Sequence, residues 1–302
     1  MSLIIVGSMA YDAIETPFGK TPRIVGGAAT YAAWSASNFY TPIKQVSIIG
    51  GDFEQSEITA LKARGVLFEG VEVVPDGKSF FWSGRYHMDM NTRDTLVTEL
   101  NVLGQFDPKL PESYQDCQYL MLGNLAPSVQ KSVIAQLRQR PELIVLDTMN
   151  FWMEIALDEL KDVLKDVDLL MVNDSEARQL SGEHSLVKAA KVIRAMGPKY
   201  LIIKKGEHGA LLFHENRIFS APALPLEDVF DPTGAGDTFA GGFIGFLAQA
   251  GNTSFETMKK AVIAGSAMAS FCVEKFGPDR LKEISADDIA ARSNQFIDLA
   301  TF

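Results

Sequence analysis

Short, unbroken apolar runs constrain this chain more than any other feature. Leu3–Val6, Leu120–Leu122, Leu143–Leu146, Leu169–Val172 and Leu201–Ile203 are each bounded by polar or turn residues. A strand that is apolar on both faces must be covered on both faces, as in a parallel sheet between layers of helix. Stretches of helical composition lie between the runs, at Ser128–Arg140, Met153–Leu164 and Leu186–Met196. Right-handed crossovers join strands of this kind. The pattern predicts a doubly wound, mostly parallel α/β sheet with helices on both faces, formed as a single domain over residues 1–302.

Two segments interrupt that rhythm. Asp12 to Val25 is polar and holds Pro17, Gly19 and Pro22, so it reads as strand, turn and strand. Val66 to Phe106 shows no helix; within it Phe80, Trp82, Tyr86 and Met88 alternate with Phe81, Ser83, Arg85 and His87, the period of a half-exposed strand. Together, 12–25 and 66–106 predict a small antiparallel β lid. Its apolar face would cover a site or meet a second copy of the chain, as a homodimer through the lids. From Asp237 to Leu299 the pattern is almost wholly helical.

Composition closes off other classes. With 47% hydrophobic and 22% charged residues, neither disorder nor a disulfide scaffold fits. The formal charge of −10 leaves no basic excess for a nucleic-acid backbone. Cys117 and Cys272 have no metal-ligand spacing and read as reduced thiols. No apolar run approaches a membrane span, and Met1 to Val6 has no basic leader, so a cytoplasmic protein is expected.

The strongest chemical signal is the run from Asp231 to Phe243, DPTGAGDTFAGGF. It sets Gly234, Ala235 and Gly236 directly before a helix that begins with Asp237 and Thr238. Backbone N–H groups converge in such a turn, and the helix N-terminus adds partial positive charge, which suits an anion. A carboxylate at that point would repel a phosphate unless it served as a proton acceptor for an attacking hydroxyl. Asp237 is therefore the candidate general base, with a helix cap as the competing reading. The small residues Ala240, Gly241, Gly242 and Gly245 also suggest close helix packing. Gly234-Ala235-Gly236 lacks the third glycine of a dinucleotide fingerprint, and Gly77-Lys78-Ser79 lies in a strand-rich segment, where it reads as a turn.

Weaker signals follow other buried strands. Asn173 and Glu176, after Leu169–Val172, place oxygen groups at a strand end; they suit the water shell of Mg²⁺ or, equally, a helix capping box. Lys204, Lys205, Gly206 and Gly209 suit approach to a nucleotide or a simple hairpin. Asp12 with Gly26 and Gly27 suits a polyol, because an aspartate accepts two hydroxyl hydrogens and glycine backbone comes close. Tyr31, Trp82 and Tyr86 are aromatic residues that could stack on a base.

Taken in order, these motifs resemble the ribokinase/PfkB family of carbohydrate and nucleoside kinases, over nearly the whole chain. The resemblance implies a ribokinase-like α/β core with a β lid, ATP as phosphoryl donor and Mg²⁺. It implies Asp237 as catalytic base, the N–H groups of Gly234 to Asp237 as anion hole, and Asp12, Gly26 and Gly27 against acceptor hydroxyls. Tyr31 stands nearest to where many sugar kinases carry a substrate-binding asparagine. Asp231 matches a position associated with a monovalent cation, usually K⁺, and Ser266 falls where the family lines its nucleotide pocket. The stretch Asp147 to Trp152 lacks an arginine that many members carry, which weakens a sugar-acid substrate. The expected activity is ATP-dependent phosphorylation of a primary hydroxyl on a sugar or sugar-like substrate. A nucleoside kinase is the alternative, and a non-catalytic binding protein on the same fold a further one.

Overall fold

The computed structural model describes residues 2–301. In chain order the strands are β1 (Leu3–Val6), β2 (Ala10–Thr16), β3 (Gly19–Lys20), β4 (Ile24–Gly26), β5 (Ile43–Gly50), β6 (Val66–Val74), β7 (Phe80–Tyr86) and β8 (Arg93–Glu99). There follow β9 (Tyr119–Leu122), β10 (Leu143–Asp147), β11 (Leu169–Asn173), β12 (Tyr200–Lys204), β13 (Ala210–His214) and β14 (Arg217–Ala221). The helices are α1 (Ala28–Ala36), α2 (Gln55–Ala63), α3 (Pro127–Ala135), α4 (Asn150–Ile155), α5 (Leu157–Leu164), α6 (Asp174–Ser181) and α7 (Leu186–Arg194). The C-terminal part adds α8 (Ala235–Ala250), α9 (Phe255–Cys272), α10 (Asp279–Glu283) and α11 (Ala286–Ala300). No helix among the described residues is long and apolar enough to cross a membrane.

The large sheet runs β14-β13-β12-β11-β10-β9-β1-β5-β6, parallel from β12 to β6 and antiparallel at β13 and β14. Its residues alternate between two cores. Leu3, Ile5, Met121, Val145, Met171 and Ile202 face the core shared with α1, α8 and α9. Ile4, Val6, Leu122, Leu146, Val172 and Ile203 face the other, which includes residues of α5, α6 and α7. Burial on both faces is the physical reason that these runs are unbroken. On the first face the helices approach closely because of glycine. A Cβ at Gly241 would lie 2.3 Å from the Ala32 carbonyl oxygen, and one at Gly245 would lie 2.8 Å from Ala36 Cα.

The smaller sheet runs β3-β2-β7-β8, with β4 also on β2. It is antiparallel in three pairings, but β2 and β7 run parallel. The expected boundaries of the lid are corrected in one respect. Val66–Val74 pairs with β5 and forms the edge of the large sheet, and Val102 and Phe106 are buried in the second core, so only β7 and β8 of that segment belong to the smaller sheet. The expected alternating face is also partial. Tyr86 is buried, whereas Met88 lies past the end of β7 and is 79% exposed. The helix expected over Met153–Leu164 is two helices, α4 and α5, that meet at Ala156.

Strand β1 has β5 on one side and β9 on the other, so the chain order reverses beside it. Crevices for ligands open at the carboxyl ends of strands at such a point. Asp147, Asn173 and Lys204 end β10, β11 and β12 at that same edge of the sheet.

Candidate active site

The floor of the crevice is the loop into α8. Gly234 caps this helix with φ of 74°, a left-handed conformation that favours glycine, and a Cβ there would strike the Tyr31 ring at 2.4 Å. Thr238 N donates to Gly234 O at 2.8 Å and Ala235 N to Pro232 O at 3.2 Å. The N–H groups of Gly236 and Asp237 have no acceptor among the described residues. Two orphan donors at the start of a sixteen-residue helix suit an anion. Asp231 holds the loop in place. It is 1% exposed, and its carboxylate accepts from Thr233 N at 2.8 Å and Gly277 N at 3.0 Å. Both oxygens are thus engaged by backbone donors, and Asp231 staples the loop.

Charges gather around this loop. Lys204 Nζ lies 3.1 Å from Asp147 Oδ2 and 3.0 Å from where a Gly236 Cβ would be. Gly236 therefore keeps open the space through which Lys204 reaches the anion loop. Burial pushes the Asp237 carboxyl up to about 7; the Asp147 charge adds to the effect, while Lys204 and Arg93 oppose it. Glu176 is likewise raised to about 7, chiefly by burial, with Lys204 opposing. Lys204 itself is held above its ordinary value: burial opposes this, but Asp147, Glu176 and Asp237 outweigh it.

Asn173 and Glu176 form the capping box of α6. Asn173 Oδ1 accepts from Glu176 N, and Glu176 Oε2 accepts from Asn173 N, both at 2.7 Å. The structural alternative is therefore realised, and it leaves one Glu176 oxygen uncommitted. The described residues contain no group of three or more His, Cys, Asp or Glu side chains fit to hold a metal. A fully protein-made cage is absent from them, but Mg²⁺ needs none, since it keeps water and takes its ligands from phosphates.

Asp12 on β2 faces the loop from the opposite wall. It is 5% exposed, and a Cβ at Gly26 would lie 2.0 Å from its Oδ2, so glycine is what gives this carboxylate room. Burial, then Asp231 and Asp237, push Asp12 up to about 8. Gly27 has φ of 95° and lies against Ser8, whose carbonyl and hydroxyl accept from Ala29 N and Ala28 N. Tyr31 lies beneath the anion loop, 1% exposed, and its hydroxyl has no partner. It supports Gly234, and the charges of Asp231, Asp12 and Asp237 add to burial in raising its hydroxyl. Trp82 folds over Gly84 within the lid, and Tyr86 accepts a hydrogen bond from Thr233 Oγ1 at 3.2 Å.

A cavity of about 530 Å³ opens on the other side of the loop. Lys204, Gly206, Gly209, Gly236 and Ser266 line it, with Leu224 and Phe239 among the apolar walls. The Lys204–Gly209 segment is both a β12–β13 hairpin and part of this wall. Asn91, at the tip of the lid, reaches the same cavity. Sequence reasoning missed two charged residues. Asp147 carried a usable signal, since it ends a buried run just as Asn173 does. Arg93 carried none, because only the pairing of β8 with β7 brings it here.

The chain matches the model of the pfkB family carbohydrate kinases over residues 2–284. It belongs to that family, and it is a kinase. It is 28% identical over 284 residues to the cytidine kinase of Thermococcus kodakarensis, covering 92% of this chain and 98% of that one. It is 26% identical to the ribokinase of Lactococcus lactis, covering 93% and 95%. Among solved structures, the Burkholderia thailandensis nucleoside kinase in complex with inosine superposes with a TM-score of 0.78 at 21% identity, covering 98% of each chain.

Proposed function

We propose that this kinase transfers the terminal phosphoryl group of ATP to a primary hydroxyl of a nucleoside. The observation that carries the reading is the Asp237 carboxylate beside two unpaired N–H groups at the head of α8. ATP would lie in the 530 Å³ cavity with its phosphates toward the loop and Lys204. The acceptor would lie against Asp12, Gly26 and Gly27. The acceptor oxygen attacks the γ-phosphorus, the bond from that phosphorus to the β-γ bridging oxygen breaks, and ADP leaves. The hydroxyl proton passes to Asp237, and the charge that builds on the phosphoryl oxygens faces the N–H groups of Gly234 to Asp237.

Mg²⁺ fits the free oxygen of Glu176 through water, with Asn173 positioning that glutamate. Bound there, it would neutralise phosphate charge. Asp231 staples the loop, and activity measured against K⁺ concentration tests whether a monovalent cation assists there. Ranking nucleosides above free sugars draws on two of the similar proteins, one named a cytidine kinase and one a nucleoside kinase solved in complex with inosine. The Asp12–Gly26 pair would serve the diol of a free sugar as well, so that remains the second reading. A panel of nucleosides and pentoses, with phosphorylated product read by mass spectrometry, separates the two. Preference for ribose over every nucleoside would reverse the ranking, and no product from any acceptor would overturn the proposal.

A further inference from the structure

Lys204 ends β12 and Asp147 ends β10, with the end of β11 between them at Asn173, the register partner of Lys204. With neighbouring strands about 4.8 Å apart, the Lys204 side chain crosses the end of β11 to reach Asp147, over roughly 10 Å of sheet. Its Nζ lies 3.1 Å from Asp147 Oδ2 and 3.4 Å from Oδ1. The same Nζ lies 3.0 Å from where a Gly236 Cβ would be, beside the first turn of α8.

Asp147 is itself firmly held. Its carboxylate accepts from Thr148 N at 3.0 Å, and its carbonyl accepts from Gln130 Nε2 at 3.1 Å. Gln130 is fully buried and also donates to Gly123 O at 2.9 Å, which ties the end of β10 to that of β9. Lys204 is the flexible member of the pair, a charge on a long stem, and its Nζ has no other hydrogen-bond partner among the described residues. Glu176 and Asp237 attract it as well. A buried ion pair is a weak source of stability, because desolvating both charges offsets their attraction. The Lys204 and Asp147 side chains are only 17% and 7% exposed, so stability alone does not account for them. What the pair does is choose among three carboxylates. With the lysine on Asp147, Asp237 has no hydrogen-bonded cation and keeps its oxygens for a hydroxyl proton.

We propose that Asp147 is a positioning residue that holds Lys204 at the anion loop and keeps it from pairing with the catalytic base. A lysine bonded to Asp237 would occupy the oxygens that accept the proton and make that carboxylate a weaker base. Held on Asp147, the same charge faces the phosphoryl group with its side-chain freedom already spent. Asp147 touches no reacting atom and acts through Lys204. This role rests on the kinase reading above.

The test is a double-mutant cycle, with Asp147→Asn made in the unaltered protein and in Lys204→Met. Asparagine keeps an acceptor for Thr148 N but gives up the charge. In the unaltered background it should lower kcat at least about tenfold, while affinity for a non-hydrolysable ATP analogue, by calorimetry, stays within about threefold. A general defect of the crevice would weaken binding and turnover together. In the Lys204→Met background no lysine can be drawn to the base, and the same change should cost less than about threefold in kcat. An equal loss in the two backgrounds would overturn the inference, as would a kcat for Asp147→Asn within about threefold of normal. Should Asp147→Asn alone not fold, Lys204→Met with and without Asp147→Asn decides, since the double variant removes both charges. Equal turnover there upholds the role, and a further loss of about tenfold ends it. If the unaltered protein transferred phosphate to no acceptor, the kinase reading itself would fall.

Discussion

The anion loop and the lid hairpin meet at one hydrogen bond, yet they are built in opposite ways. The loop's own residues are close in sequence, although Asp231 also ties it to Gly277: Asp231 staples Thr233, Gly234 turns the chain, and Asp237 follows on the first turn of α8. Its cavity-facing donors are held by a sixteen-residue helix packed against α1 and α9. The hairpin is assembled from distant pieces. β2 supports β7, β7 supports β8, and all seven residues of β8 are exposed. A single neutral hydrogen bond contributes only about 1 kcal/mol net, less than a tenfold bias, so the contact between Tyr86 and Thr233 can seat the hairpin without locking it. The loop is held from within the core; the hairpin is held at its edge.

The sharpest way to break this contrast is to remove the fixed charge. Positioned proton transfer contributes ~10²–10⁴-fold, so Asp237→Asn should lower kcat by at least that range while ADP affinity stays within about twofold. The asparagine keeps the volume and the helix start, so the melting temperature should change little. If the variant retained more than about a tenth of normal turnover, the base would lie elsewhere, and the loop would be an anion site only.

Acidity gives the next largest effect, with opposite signs for rate and stability. Asp237, raised to about 7, must lose its proton to act as base, so kcat/KM should rise with pH through about 7. Asp12, raised to about 8, should extend the acceptor-dependent part of that limb upward. Stability runs the other way. Each of these carboxyls binds its proton more tightly folded than unfolded, where the ordinary value is 3.8, so between about 4 and about 8 the folded chain holds more protons. Their contribution is fully present below the lower limit and is lost as pH rises through the folded values. Parallel rate and melting profiles check both signs. A rate that is flat from about pH 5 upward would mean that burial does not raise Asp237, and that the loop is wetter than its packing implies.

How much of this was legible in the sequence follows the same division. The unbroken runs revealed the sheet because two-sided burial leaves no room for polar alternation, and DPTGAGD revealed the loop because its geometry is local. Strand β5 and the assignment of β6 to the large sheet were not read. β6 is an edge strand whose residues are mostly exposed or half-buried, so its pattern lacks the mark of a two-sided core. The contact of Tyr31 with Gly234 was not read for a related reason: α1 is buried along its whole length, and composition does not say which neighbour a buried tyrosine supports. Asp147 was readable and overlooked. Arg93 was not readable, since nothing local to it marks its partner across β7.

The smallest expected effect tests whether the hairpin moves. β8 is the outer strand of its sheet, and its hydrogen bonds go to β7 alone, so its amides should exchange through local opening while the large sheet stays closed. Asn91 at the hairpin end lines the cavity, so a ligand bound there would add contacts to the hairpin and lower the population of its open form. Hydrogen exchange should therefore slow by a few-fold over 86–99 on addition of both ligands, and by less with either alone, corresponding to about 1 kcal/mol. β6 supplies the internal control, because it lies within the broader segment first read as lid but belongs to the large sheet. Equal slowing in β6 and β8 would mean that the whole molecule tightens, and no change in either would make the hairpin a fixed wall. Slowing confined to 86–99 is what a hairpin that closes over bound ligands requires.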